Sequence, residues 1–270
     1  MQVAVKNLSG KRLVMLCVMA VFALIATMCG RVGAEPVSAG NGPNVIVLNY
    51  HKIDFYEDPL SVTPTEFANQ LNYFKTYNYH IVSLNELYDY LEKDKPLPTK
   101  PVIITFDDGY ADNYTYAYPL LKKFGYPATI FVITKLVGTK GYINWEQARE
   151  MQANGISIES HTVNHITLST LPNEQALFEL TRSKEIIEAK LGQKINFVAY
   201  PEGYYNKLTE KLVQDAGYRG ALTIRYGNVD KASDLYALER IPIFHTSATI
   251  RDFMRRIHYA SNYARAGWLP

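Results

Sequence analysis

Cysteine is almost absent from this chain. The 270 residues include only Cys17 and Cys29, and both lie in an apolar stretch near the N-terminus. Beyond that stretch no disulfide can support the fold, and no cysteine can serve as a nucleophile or a metal ligand. A chain without thiols after its leader is consistent with export to an oxidising compartment.

The chain also lacks any long run of one charge sign, and its net charge is only +2. This balance gives no indication of a nucleic-acid binder. We find no internal repeat, no low-complexity tract and no glycine-rich phosphate loop of the standard kinds. Apolar residues are plentiful at 47%, enough for a substantial core, and 21 tyrosines suit either core packing or contact with sugar rings.

The first 34 residues are typical of a secretory signal peptide. Lys6, Lys11 and Arg12 form a basic start, residues 13–28 are apolar, and small residues up to Ala34 suit cleavage. The alternative is an uncleaved anchor, because the apolar run approaches the lower limit for spanning a bilayer. We therefore expect an exported protein, whether secreted, periplasmic or at the cell surface, with a linker over residues 35–43 and one domain over residues 44–270.

Strand and helix patterns alternate along this domain. Short apolar runs predict strands at residues 44–50, 80–82, 102–106, 128–133, 156–160, 197–200 and 220–223. Helical periodicity with glycine or cap signals predicts helices at residues 64–77, 84–91, 112–124, 144–154, 174–191 and 207–216. The alternation predicts an α/β fold, and about seven or eight strands over this length favour a (β/α) barrel over an open sheet.

Two adjacent carboxylates follow one of these strands, where residues 105–110 read Thr-Phe-Asp-Asp-Gly-Tyr. Consecutive strand residues face opposite ways, so Asp107 and Asp108 share a site only if the strand ends there, as Gly109 permits. One carboxylate could then bind a metal while the other stays free as a general base. The alternative is simpler, since an aspartate before a helix often only caps it.

Two histidines follow the strand at residues 156–160. Residues 160–165 read Ser-His-Thr-Val-Asn-His, which brings His161 and His165 together on a helix face or in a loop. Alone, they could be two surface histidines. Together with the Asp-Asp pair at the same end of the predicted barrel, they complete a ligand set for a divalent ion with open coordination positions.

These two motifs resemble the first two motifs of the NodB-type polysaccharide deacetylases, carbohydrate esterase family four. The similarity covers residues 44–243. It implies a distorted barrel and an enzyme that removes N-acetyl groups from chitin-like glycans. It also implies that Asp107 is the general base and that Asp108, His161 and His165 are the metal ligands.

The third family motif is altered. Residues 199–203 read Ala-Tyr-Pro-Glu-Gly, with Ala199 where the family has an arginine that contacts the catalytic carboxylate. Arg240 is the candidate replacement, and the alternative is an ordinary ion pair with Glu239 or another acid. A backbone N–H near Tyr200 is the candidate oxyanion donor.

The general acid has two candidates. His51 ends the first predicted strand, and His245 occupies the usual C-terminal position. In carrying a Tyr-His pair early in the chain, this sequence resembles the exported poly-N-acetylglucosamine deacetylases of biofilm systems. We therefore favour His51 as the general acid. Trp145 also fits that subgroup and is expected either to wall the pocket or to pack in the core.

The resemblance implies a polysaccharide containing N-acetylglucosamine as substrate, with poly-β-1,6-N-acetylglucosamine favoured and association with the cell envelope expected. Peptidoglycan, chitin oligomers and O-acetylated sugars stay open as alternatives, as does a glycan-binding homologue without turnover. Two imidazoles and a carboxylate suit Zn²⁺, while Co²⁺, Ni²⁺ and Fe²⁺ fit the same set.

Overall fold

A computed structural model describes residues 42–265, apart from the side chains of residue 247 and residues 259–265. The strands are β1 Ile46–Tyr50, β2 Lys52–Ile53, β3 Ser61–Val62, β4 His80–Ile81, β5 Pro101–Phe106, β6 Ala128–Val132, β7 Ile156–Ser160, β8 Phe197–Ala199, β9 Gly220–Tyr226 and β10 Leu238–Pro242. The α-helices are α1 Pro64–Thr76, α2 Leu84–Lys93, α3 Tyr118–Phe124, α4 Trp145–Ala153, α5 Asn173–Leu191, α6 Lys207–Asp215 and α7 Ile250–Arg265. The short helices are a π-helix at Asn113–Ala117 and 3₁₀ turns at Leu168–Thr170, Pro201–Gly203 and His245–Ser247.

Seven parallel strands close into a barrel, which confirms the predicted fold. They follow one another around the ring as β1, β5, β6, β7, β8, β9 and β10. The ring closes because β1 pairs on one side with β5, from Ile46 opposite Val102, and on the other with β10, at Leu48 opposite Ile241. A register shift between β9 and β10 distorts the barrel.

The ring does not use the seven strands that the sequence predicts. The strand at residues 80–82, observed as β4, pairs with the beginning of β5 as an eighth member of the sheet, outside the closed ring. The strand that closes the ring, β10, is missing from the predicted set. Its apolar run is interrupted by two charged residues, Glu239 and Arg240, and the fold nevertheless buries Arg240 completely.

Apolar side chains fill the barrel and the space beneath the helices. Every residue of β1, β5 and β6 is buried, as expected for parallel strands that are covered on both faces. Capping boxes are predicted at Thr63–Glu66 and Ser83–Glu86. Ser83 forms its box with Glu86, whereas at Thr63 the side chain accepts a bond from the Glu66 N–H without the reciprocal bond to its backbone. These helices therefore pack where the sequence places them.

The predicted helix at residues 112–124 begins as a π-helix instead of an α-helix. The N–H of Tyr118 donates to the carbonyl of Asn113, five residues earlier. Pro119 follows immediately, and its ring would crowd the carbonyl four residues before it in an α-helix. The wider turn relieves this crowding, and π-turns of this kind are concentrated at functional sites.

Residues 1–34, the predicted signal peptide, lie outside the described residues, as does most of the predicted linker. Within residues 42–265, none of the helices combines the length and the apolar character needed to cross a bilayer.

Glu159 is a buried acid on β7 that links stability to pH. Its carboxylate accepts bonds from the N–H groups of Asn196 and Phe197, both at 2.9 Å, and from the Ser157 hydroxyl at 3.0 Å. Burial raises the pKa of Glu159 to about 7, although these bonds oppose the rise. Because the pKa of Glu159 is raised from 4.5 to about 7 in the folded state, the free energy of unfolding falls as pH rises between these two values.

Replacing this acid with its amide should remove that dependence. Between pH 5 and pH 8 the wild type is expected to lose on the order of 3 kcal/mol of unfolding free energy that Glu159→Gln does not lose. Urea unfolding at both pH values measures the change, with Glu174→Gln on the exposed first turn of α5 as the control. Parallel pH profiles for wild type and Glu159→Gln would contradict the assignment.

Candidate active site and metal centre

The chain leaves β5 so that two neighbouring carboxylates reach one site. Asp108 and Gly109 have φ angles of 72° and 76°, a left-handed turn that ends the strand. A Cβ atom on Gly109 would lie 2.9 Å from the side chain of Val132, so only glycine fits. The Asp107 N–H still donates to the Tyr50 carbonyl at 2.9 Å, which fixes the turn against β1.

Asp108, His161 and His165 converge at the carboxyl end of the barrel. Their potential ligand atoms all lie within 4.8 Å of one another. Asp108 Oδ1 is 3.5 Å from His161 Nε2 and 3.6 Å from His165 Nε2. Two atoms bound to one tetrahedral ion at about 2.1 Å lie about 3.4 Å apart, so the spacing suits a shared cation. The donor set therefore fits a divalent metal.

The ring of His161 is fixed in the form that a metal requires. Its Nδ1 lies 2.8 Å from the Ala199 carbonyl, which can only accept, so the hydrogen is on Nδ1. The Nε2 lone pair then faces Asp108. Burial lowers the pKa of His161, although Asp107 and Asp108 oppose this, so the ring is held neutral. A neutral imidazole oriented by a carbonyl is the usual state of a metal ligand.

The segment between the two histidines is a tight loop, not a helix. Thr162 and His165 both have left-handed backbones, with φ angles of 66° and 59°. The Ser160 hydroxyl accepts from the Thr162 N–H at 3.1 Å, and the Thr162 hydroxyl accepts from the His165 N–H at 3.2 Å. These bonds hold the unusual backbone that turns both rings toward Asp108.

A buried carboxylate supports the same loop from behind. Glu179, on α5, accepts bonds from the N–H groups of Val163 and Asn164, both at 2.9 Å, and from the Asn164 amide. Glu179 was not predicted from the sequence. The only hint in the sequence is that an acidic residue falls on the face of this helix that packs against the core. The spacing of the histidine motif does not point to that position.

Losing Glu179 should weaken metal binding at the candidate site, although the substitution removes none of the three candidate ligands. Glu179→Ala is expected to weaken Co²⁺ or Zn²⁺ affinity by about tenfold to a hundredfold, the usual cost of losing a group that orients ligands. Glu179→Gln keeps one oxygen for the two N–H groups and should recover most of the affinity. Titration of the metal-free protein measures both, with Glu185→Ala on the exposed face of α5 as the control. Unchanged affinity in Glu179→Ala would contradict this role.

Asp107 is not one of the three clustered ligand candidates and is paired with Arg240. The guanidinium donates to both carboxylate oxygens, at 2.8 and 2.7 Å, and the Asn49 amide donates to Oδ2 at 3.0 Å. Arg240 is completely buried and also donates to the Thr105 hydroxyl and the Thr223 carbonyl. Arg240 therefore makes the contact expected of an arginine at the position of Ala199.

This pair keeps Asp107 ionised. Burial alone would raise the pKa of Asp107, but the charge and hydrogen bonds of Arg240 hold it well below its usual range, with help from His161. The alternative ion pair is excluded, because Glu239 pairs with Arg225 at 3.0 Å. Asn49 and Thr105, which complete this network, were not identified from the sequence because single polar residues in apolar strands carry no motif.

His51 lies at the same end of the barrel, just beyond β1. Burial lowers its pKa, and among charged groups Asp107 and Asp108 oppose the decrease. Its backbone carbonyl accepts a bond from the Asn113 amide at 2.8 Å. Its buried Nδ1 has no hydrogen-bond partner within the described part of the chain. The ring is therefore close to the acidic pair but lacks the orienting bond that His161 has.

The other candidates lie in different settings. His245 is exposed on the 3₁₀ turn after β10. Trp145 is the first residue of α4 and packs partly buried against the core. The neighbouring Ile143 N–H donates to the Gly109 carbonyl at 3.0 Å, which places this segment beside the Asp-Asp-Gly turn.

The groups of Tyr200 are already engaged. Its N–H donates to the Leu222 carbonyl at 3.0 Å, and its hydroxyl donates to the Tyr236 carbonyl at 2.9 Å. Neither group is free to stabilise an oxyanion. In the turn that follows Tyr200, the proline has no N–H, and the Gly203 N–H donates to the Tyr200 carbonyl. The backbone N–H of Glu202 is therefore the nearest remaining candidate for an oxyanion donor. Glu202 is in a left-handed conformation, with a φ angle of 57°.

Carboxylates and imidazoles gathered at one rim of a parallel barrel form a candidate site for metal-assisted hydrolysis. A model of the polysaccharide deacetylase family matches residues 94–221. The YxkH protein of Bacillus subtilis, whose name assigns it provisionally to the polysaccharide deacetylases, is 38% identical over 197 residues, or 73% of this chain and 70% of that protein. The chain therefore belongs to the polysaccharide deacetylase family and is a polysaccharide deacetylase enzyme.

Two further relatives extend the comparison. The poly-β-1,6-N-acetyl-D-glucosamine N-deacetylase of Staphylococcus epidermidis is 28% identical over 228 residues, which cover 73% of this chain and 78% of that protein. The structure of the Streptococcus pyogenes deacetylase PplD in complex with acetate superposes with a TM-score of 0.75 and 31% identity. It covers 80% of this chain and 98% of that chain.

Proposed function

We propose that this protein is an exported, metal-dependent deacetylase that removes N-acetyl groups from poly-β-1,6-N-acetylglucosamine. The observation that carries the proposal is the convergence of Asp108, His161 and His165 beside the Asp107–Arg240 pair. The relative from Staphylococcus epidermidis supports the choice of polymer. The basic and apolar leader sequence supports export.

Asp108, His161 and His165 would hold the metal, and zinc is our first choice among the ions that this donor set accepts. A divalent ion bound there would polarise the acetamide carbonyl and make a nearby water more acidic. The three residues leave the remaining coordination positions open, as a hydrolytic centre requires.

Asp107 is the proposed general base. A carboxylate has about four acceptor positions, and three donors occupy three of them on Asp107. Oδ1 receives only one of the three bonds, so it keeps a position for the proton of the attacking water. Arg240 holds the carboxylate charged and fixes its plane, which orients that free position.

His51 is the proposed general acid, with His245 as second choice. The departing amine nitrogen needs a proton when its bond to the acetyl carbon breaks. A lowered pKa makes the His51 imidazolium a stronger proton donor, but it also reduces the protonated fraction at neutral pH. The neighbouring carboxylates Asp107 and Asp108 favour the protonated form. Activity should therefore fall as pH rises above the pKa of this ring.

Acetate release from a panel of glycans tests the function. The panel contains β-1,6- and β-1,4-linked N-acetylglucosamine oligomers, peptidoglycan fragments and O-acetylated xylan, each with added Zn²⁺ or Co²⁺ and with chelator. We expect release from the β-1,6 oligomers, loss with chelator and recovery with metal. Preference for another glycan would overturn the substrate, undiminished release with chelator would overturn the metal dependence, and binding without any release would leave a glycan-binding homologue.

A further inference from the structure

An exposed aromatic cluster lies where the loop that follows His51 meets the π-helix. Phe55 and Tyr56 are 66% and 77% exposed, and Tyr116 is 38% exposed. The rings of Phe55 and Tyr116 meet edge to face, with centroids 5.5 Å apart. We call these three residues the aromatic platform. Grouped aromatic rings that stay exposed on a folded surface usually mark a binding site.

Polar contacts hold this loop in a defined shape. Asp54, itself buried, accepts a bond from the Tyr56 N–H at 3.0 Å. Asp58 forms an ion pair with Lys52 at 2.6 Å, across the base of the loop. The carbonyl of Pro59 accepts a bond from the backbone that follows β10, at 2.9 Å. The backbone of this loop is therefore held in place before any ligand arrives, which reduces the entropy cost of binding.

The platform is also fixed to the edge of the active site. Tyr116 belongs to the π-helix, and Asn113 in that same helix donates to the His51 carbonyl. Phe55 lies only four residues after His51. One irregular turn of helix thus secures the segment that carries the proposed acid and presents Tyr116 to Phe55. The aromatic rings are therefore carried by two segments that are both attached to the segment bearing His51.

We propose that the aromatic platform is a sugar-binding subsite for polysaccharide residues that flank the residue being deacetylated. A polysaccharide continues beyond the reacting unit, and the apolar faces of its pyranose rings pack well against aromatic side chains. Neutral N-acetylated sugars need no charged partner at such a subsite. The platform rests on the proposed function, because it presumes a glycan chain that crosses the site.

Chain length is the variable that reveals such a subsite. Deacetylation kinetics would be measured for N-acetylglucosamine oligomers from dimer to hexamer, of the linkage that the wild type accepts. In Phe55→Ala/Tyr116→Ala, the ratio of hexamer KM to dimer KM is expected to rise by about tenfold or more, with kcat for the hexamer nearly unchanged. Phe178→Ala, an exposed aromatic on α5, is the matched control and should leave the ratio at its wild-type value.

Binding without turnover separates this subsite from the proposed function. Calorimetry with Asp107→Asn as background should show tighter binding of hexamer than of dimer, and Phe55→Ala/Tyr116→Ala should abolish the difference. That result supports the subsite even if no acetate is released. An unchanged hexamer-to-dimer ratio in both assays would overturn it. Loss of binding to phospholipid vesicles with unchanged oligomer affinity would overturn it too, and would assign the platform to a lipid surface.

Discussion

Asp107→Asn is expected to lower kcat for acetate release by about two to four orders of magnitude, while metal affinity stays near wild type. The amide has nearly the same shape as the carboxylate but cannot take a proton from water. Metal affinity should persist because Asp108, His161 and His165 are untouched and Asp107 is bonded to Arg240 and Asn49 instead.

Metal content by elemental analysis and acetate release in the same preparation measure the two quantities together. Asp215→Asn, which changes a solvent-exposed aspartate on α6, is the control and should retain full activity. Turnover near the wild-type rate in Asp107→Asn would show that another group is the base. Loss of the metal would show that Asp107 is a ligand.

Arg240→Met is expected to cost about 3–5 kcal/mol of unfolding free energy, because it leaves the Asp107 charge buried without its partner. The same change should raise the pKa of Asp107, since burial would no longer be offset by the guanidinium. The acidic limb of the pH–rate profile should then move to higher pH. Urea unfolding and kcat/KM as a function of pH measure the two effects.

An exposed ion pair provides the comparison for this variant. Arg225→Met breaks the partly exposed pair with Glu239 and should cost about 1 kcal/mol or less. The double variant Asp107→Asn/Arg240→Met removes both charges and should recover much of the stability lost in Arg240→Met. Equal stability of Arg240→Met and Arg225→Met, together with coincident pH profiles, would contradict this prediction. The buried pair would then neither stabilise the fold nor keep the pKa of Asp107 low.

Motifs that sit at strand ends could be predicted from the sequence, because the barrel topology brings all such ends to one rim. Barrel topology alone predicts that the Asp-Asp pair meets His161 and His165. The resemblance to the NodB-type deacetylases added Asp108 as the ligand and Arg240 as the replacement for the missing arginine. It could not choose between Asp107 and Glu239 as the partner of Arg240. That choice depends on which face of β10 points inward, and β10 itself escaped detection because a buried arginine reads as a surface residue.

Supporting residues were harder to find than the residues they support. Glu179 and Asn49 act through hydrogen bonds to a loop and to a carboxylate far away in sequence, so no local spacing reveals them. The π-helix escaped detection because its sequence follows an ordinary helical pattern until Pro119. Phe55 and Tyr116 are ordinary aromatic residues in the sequence, and only their exposure and mutual contact in the fold distinguish them.

Direct titration of the metal-free protein with Co²⁺, followed by visible absorbance, is the most direct test of the central claim that three distant side chains share one cation. We expect one ion per chain, with a spectrum typical of nitrogen and oxygen ligands, and loss of binding in Asp108→Ala, His161→Ala and His165→Ala alike. Undiminished binding in all three variants, or no binding by the wild type, would contradict the account.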